Sequence, residues 1–221
     1  MSKSLRVGFL LYPHVTQLDL TGPAQVFAAA GDFDLCYVWK EKSPVMSDAG
    51  IALVPTNAFT DCPQLDVLLV PGGPGQAALM QDAEVLGWLS QQGAAAMWVT
   101  SVCSGSLLLG AAGLLKGYRA ASHWNYREHL PLFGAVIDPA RVVRDRNRIT
   151  GGGVTAGIDL ALTVIAELRG VQQAQEVQLV LEYAPEPPFQ CGRPESVSLE
   201  IIAGAKQRLA AQLEQAEKAM K

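Results

Sequence analysis

The run Val99-Thr100-Ser101-Val102-Cys103-Ser104-Gly105-Ser106-Leu107 passes from an apolar, β-branched stretch to a helical one through small residues. A cysteine at such a bend resembles a nucleophile elbow with sulfur in place of the serine hydroxyl. Unpaired backbone N–H groups at the start of the following helix would stabilise anionic sulfur and draw its pKa from about 8.5 into the range of about 3.5–7.5. Cys103 is therefore expected to be largely thiolate at neutral pH. The competing reading is the usual fate of a cysteine taken alone, a small buried hydrophobe at a strand end. Agreement of strand, turn glycine and helix with the elbow favours the nucleophile.

Asp19 lies in the apolar stretch Leu18-Asp19-Leu20-Thr21-Gly22-Pro23. Pro23 is expected to open a helix running to Ala30, so Asp19 could be a cap and nothing more. Beside a thiolate the same carboxyl would be desolvated and repelled, which raises its pKa and keeps it protonated as a donor and proton carrier. Gly72 and Gly73 follow the buried run Val67-Leu68-Leu69-Val70-Pro71 and could turn their N–H groups toward developing negative charge, or simply make a tight turn. Gly151-Gly152-Gly153 invites the same two readings, with the N–H of Val154 as a further donor. The triple glycine lacks the Lys-Ser/Thr ending of a P-loop, and no dinucleotide fingerprint follows the first strand. His123, in Ala121-Ser122-His123-Trp124, is either a packed side chain or a base near the sulfur. Cys36 reads as core, while Cys62 and Cys191 lack a helix start to activate them; His14 and His129 read as surface.

These residues need a scaffold that brings distant segments to one edge. Apolar runs alternate with helix-length segments: LRVGFLL, FDLCYVW, VLLVPGG and MWVTSVC, with helices around 23–30 and 83–92. That alternation predicts βαβ units and a mostly parallel α/β sheet covered on both faces. In such sheets ligands bind beyond the carboxyl ends of the strands, where Asp19, Gly72, Cys103 and Gly151–Val154 should converge. Residues 45–55 predict a small antiparallel excursion. The segment VQQAQEVQLVLEYA is expected to continue helically until the proline-rich APEPPFQCGRPES breaks it. From about 196 to 219 an amphipathic helix packs on its own domain or on a partner subunit.

With 221 residues and 49% hydrophobic content, one domain spanning 1–221 is expected. A net charge of −4 and the lack of any basic run argue against nucleic acid or anionic lipid as partners. No apolar stretch approaches the roughly 18 residues of a membrane span. Pro13 and His14 interrupt the first apolar run before it could form a signal-peptide core. Four cysteines without CxxC pairing or metal-ligand spacing suit a reducing compartment, so the protein is expected to be cytoplasmic, with neither a metal nor a disulfide framework.

The blocks GFLLYPHVTQLDLTGPAQVF, LDVLLVPGGPG, VTSVCSGSLLLGAAGLLKGYRA, SHW, VVRDRNRITGGGVTAGIDLAL and QLVLEYAPEPPF resemble the ThiJ/PfpI superfamily from Val7 to about Phe189. Asp19 with Ser104 points to its isocyanide hydratase branch. The resemblance implies a flavodoxin-like sandwich, a homodimer, Cys103 as nucleophile, Asp19 as the nearby acid, and backbone around Gly73, Ser104 and Val154 surrounding the sulfur. It implies hydration of an isocyanide to an N-formamide through a thioimidate, with no cofactor. Val154 stands where isoleucine is expected and Ser104 where threonine is expected, which keeps the donor and the hydroxyl. Peptidase- and amidotransferase-like relatives place histidine after the nucleophile, so Ser104 demotes those activities. AraC-type regulators share the motifs but continue into a helix-turn-helix domain, whereas this chain stops at Lys221. A non-catalytic sensor of small molecules or oxidants, or a glyoxal-directed stress protein should His123 lie near the sulfur, are the alternatives.

Overall fold

The computed structural model describes residues 4–220, so the ends of the expected domain, residues 1–3 and 221, lie outside the description. The chain begins with β1 (Leu5–Leu10), α1 (Gln17–Ala30) and β2 (Phe33–Trp39). A small hairpin of β3 (Val45–Met46) and β4 (Ala52–Leu53) precedes β5 (Asn57–Ala58) and β6 (Val67–Val70). Next come α2 (Gln76–Leu79), α3 (Ala83–Ala95), β7 (Trp98–Ser101) and α4 (Gly105–Ala111). Strands β8 (Arg119–Ala120) and β9 (Val136–Ile137) flank a 3₁₀ helix over Arg127–Phe133. The chain closes with β10 (Val142–Asp145), β11 (Arg148–Gly151), α5 (Ala156–Arg169), α6 (Val171–Val180) and α7 (Leu199–Ala219).

Seven strands form the central sheet in the order β10-β11-β7-β6-β1-β2-β5, parallel except for the β10–β11 pair. The expected α/β architecture is therefore present, and the 45–55 excursion is the antiparallel β3–β4 pair. Strands β6 and β11 are buried along their whole length, as parallel strands covered on both faces must be. Helices α1, α5 and α6 pack on one another, while α4 contacts α2, α3, β6 and β7. Right-handed crossovers put these two groups on opposite faces, because the chain steps from β1 to β2 in one direction and from β6 to β7 in the other. That reversal lies between β1 and β6, the position where open α/β sheets bind ligands.

Two local expectations are corrected. Helix α1 starts at Gln17 rather than at Pro23, which sits inside it. The cause is a partner remote in sequence: Asp48 of the β3–β4 hairpin accepts the Thr16 hydroxyl at 2.7 Å and the Gln17 N–H at 3.3 Å, capping a turn that the local sequence leaves uncapped. Asp19 is thus a first-turn residue of α1, not its cap. Beyond α5 the helix does not run on to the proline-rich stretch: Gly170, at φ 94°, separates α5 from α6, and α6 ends at Val180.

Helix α7 begins at Leu199, where the Ser198 hydroxyl accepts the Ile201 N–H. It packs on its own chain, over α2, with Ala216 1% exposed at the contact. The Gln81 amide donates to the Ala219 carbonyl at 3.4 Å, and His129 Nε2 lies 3.3 Å from Glu217. His129, expected at the surface, is therefore a half-buried tie between the 3₁₀ helix and α7.

Candidate active site

Cys103 lies between the end of β7 and the start of α4 with φ 58°, a left-handed backbone that few non-glycine residues adopt. The bend is held from four sides. Its N–H donates to the Gly152 carbonyl at 2.7 Å, and its own carbonyl accepts the Ser122 hydroxyl at 3.0 Å, the His123 N–H at 3.2 Å and the Ser106 hydroxyl at 3.3 Å. A Cβ on Gly105 would come within 2.2 Å of the Val70 carbonyl oxygen, so only glycine lets the elbow press against the end of β6. This is the strained strand-to-helix turn expected of a nucleophile elbow.

The four strand-end segments do converge. Asp19, fully buried, accepts the Gly72 N–H on Oδ2 at 2.8 Å. The Ser104 hydroxyl accepts the Gly73 N–H at 3.3 Å. Gly72 and Gly73 therefore orient Asp19 and Ser104 instead of presenting free donors to a substrate. A Cβ on Gly72 would meet Ser104 Oγ at 2.6 Å, Ser104 N at 2.7 Å and Asp19 Oδ2 at 3.0 Å, so the missing side chain is what lets these groups close together. Gly73 is pinned likewise: its φ is 141° and a Cβ would lie 2.4 Å from the Thr16 nitrogen. Asp19 Oδ1 is buried with no hydrogen-bond partner among the described residues.

The electrostatics correct the expected thiolate. Burial, and then the charge of Asp19, push the Cys103 thiol well above its ordinary value, against the N–H and hydroxyl of Ser104, which pull it down. Burial also raises Asp19, from 3.8 to about 7, in the expected direction. The thiol does not repel it, however; by donating toward the carboxyl it pulls the other way. Asp19 and Cys103 are thus a coupled pair, each shifting the titration of the other.

His123 is placed beside the elbow by its backbone, but no hydrogen bond joins its ring to the sulfur. Its Nδ1 accepts the Asn125 N–H at 3.2 Å, its ring packs against Gly153, and burial lowers its pKa to about 4, leaving it neutral. Val154 is half-buried ahead of α5, which starts two residues later at Ala156. Cys36 is core as expected, Cys62 is pushed up to about 12 by burial, and Cys191 is exposed. Among the described residues no cluster of His, Cys, Asp or Glu could hold a metal, and no helix is long and apolar enough to cross a membrane.

Three contributors escaped the sequence reading. Ser122 and Ser106 anchor the Cys103 carbonyl, and Tyr12, fully buried, donates to the Pro71 carbonyl at 3.0 Å while feeling the charges of Asp19 and Cys103. Tyr12 directly follows the β1 run, and the strand-end rule that singled out Asp19 would have found it.

Comparison with known proteins places this arrangement. Residues 5–167 match the model of the DJ-1/PfpI family. The chain is 53% identical over 210 residues to the isonitrile hydratase of Pseudomonas putida, covering 95% of this chain and 92% of that protein. A ThiJ/PfpI family protein from Pseudomonas syringae superposes with a TM-score of 0.95 at 46% identity, over 98% of this chain and 90% of that one. The HTH-type transcriptional regulator GbdR of Pseudomonas aeruginosa is 28% identical over 185 residues, 80% of this chain but only 50% of the regulator.

Proposed function

The chain belongs to the DJ-1/PfpI family, and from that premise we propose that it is an isocyanide hydratase, converting R–N≡C and water to R–NH–CHO. The observation that carries this reading is the near full-length likeness to the isonitrile hydratase; the coupled Asp19–Cys103 pair supplies the chemistry. Sulfur attacks the terminal carbon, which is electrophilic, and the proton shared by the pair moves to that carbon, giving the thioimidate R–N=CH–S–Cys103. Asp19, now a carboxylate, guides water onto the same carbon while the nitrogen gains a proton. Collapse forms the C=O bond, returns the hydroxyl proton to Asp19 and expels the sulfur. Ser104, through its N–H and hydroxyl, stabilises sulfur when it carries charge. The cycle balances without a cofactor.

Gly72 and Gly73 serve by orienting Asp19 and Ser104, Val154 by packing beside the site, and His123 by holding the elbow through its backbone. A glyoxal-directed reading needs His123 on the sulfur and loses ground accordingly. The expected single domain, homodimer and cytoplasmic location complete the reading; the last is supported by four unpaired cysteines.

The likeness to GbdR keeps one rival, a ligand-sensing module without turnover. Incubation with cyclohexyl isocyanide, following N-formamide release, separates the two. Multiple turnovers are expected, and Cys103→Ala is expected to abolish them with an unchanged circular dichroism spectrum; stoichiometric labelling without release would establish the sensor instead.

A further inference from the structure

Beside the elbow lies a cleft of about 220 Å³ whose floor is made by Ser122, His123 and Gly152, the residues hydrogen-bonded to the main chain of Cys103. Its walls carry Arg127, Arg141 and Arg193 against a single carboxylate, Glu195. Arg127 pairs with Glu195 at 2.9 Å, and Arg141 is turned toward Asp159 at 2.7 Å. Arg193 has no ion-pair partner among the described residues, although its charge, like that of Arg127, helps to hold Glu195 ionised. The excess positive charge faces a cleft that adjoins the nucleophile through the three residues bonded to its main chain, in a protein whose net charge is −4.

An isocyanide carbon is uncharged and small, so the substituent R must be recognised by what lies beyond the sulfur. We propose, on the hydratase reading above, that the enzyme prefers isocyanides whose compact substituent bears a carboxylate, with Arg193 as the residue that selects it. The guanidinium offers a carboxylate two parallel N–H donors, and Trp124, which lines the same cleft, provides apolar surface for the carbon skeleton. Arg127 and Arg141 keep their present partners and contribute field, while Arg193 is free to take the new anion.

The test compares 4-isocyanobenzoate with p-tolyl isocyanide, a neutral analogue of similar shape, by following formation of the two formanilides. KM is expected to be lower for the carboxylate by about tenfold, and Arg193→Gln to raise it about five- to tenfold at unchanged kcat, the pattern of a lost binding contact. The same substitution should leave both constants for p-tolyl isocyanide unaltered, and 0.5 M salt should mimic it for the carboxylate alone, about 0.5 M being enough to screen exposed charges. Equal KM values, or an Arg193→Gln effect common to both substrates, would overturn the proposal while leaving the hydratase reading intact. Failure to hydrate either compound would remove that reading, and this inference with it.

Discussion

Asp19 is a buried acid, and the proposed reaction gives it its use beside the sulfur. Its pKa rises from 3.8 to about 7 because burial penalises the carboxylate. Such a group contributes stability that is complete below its unfolded pKa, declines as pH climbs, and is gone above about 7. Asp19→Asn, neutral throughout, should therefore make the protein more stable than the parent above pH 7, by up to the order of 4 kcal/mol, with the advantage vanishing near pH 3; urea titrations at both pH values check this. Activity moves the opposite way. The productive pair holds one proton, so kcat/KM should rise with pH through about 7 as the doubly protonated form disappears. Asp19→Asn should lose more than about tenfold in rate, and that limb of the profile with it. Gly72→Ala should cost at least about 100-fold in kcat, since a methyl group 2.6 Å from the Ser104 hydroxyl must push the pair apart, and displacements of about 1 Å have that effect.

At the scale of elements, the site depends on how closely α1 and α5 approach. A Cβ on Gly157 would lie 3.0 Å from the Pro23 ring and 3.3 Å from Val102, the residue before the nucleophile. Gly157→Val should overpack this contact, lowering stability by about 1–3 kcal/mol and kcat together, because Pro23 and Val102 adjoin the supports of Asp19 and Cys103. Gly157→Ala should be close to neutral, its helix propensity offsetting the tight contact; thermal melts of both variants, set beside their kcat values, decide it. Pro23 has no N–H for the fourth carbonyl back, that of Asp19, yet α1 continues through it, since the Asp48 cap and packing on α5 hold the first turn in place.

At the scale of the molecule, α7 is the least embedded of the long helices, with Ala216 its single buried residue among 21. Ala216→Arg should lift it off α2 and open the chain around 184–197 to limited proteolysis, while the seven-stranded core resists cleavage. The sequence by itself determined the alternation of strands and helices, the parallel sheet and the elbow at Cys103, because apolar periodicity and turn residues act over a few neighbours. It also marked Asp19, Gly72, Gly73, Ser104 and Val154 as strand-end candidates. Only the tertiary structure decided where α1 begins, since Asp48 reaches its cap from another element. It alone showed that the glycine N–H groups are already engaged, and that Nδ1 of His123 accepts the Asn125 N–H while no hydrogen bond joins its ring to the sulfur. The protonation of Cys103 belongs to the same class: a pKa depends on water excluded and charges brought near, and both are set by segments far apart in the chain.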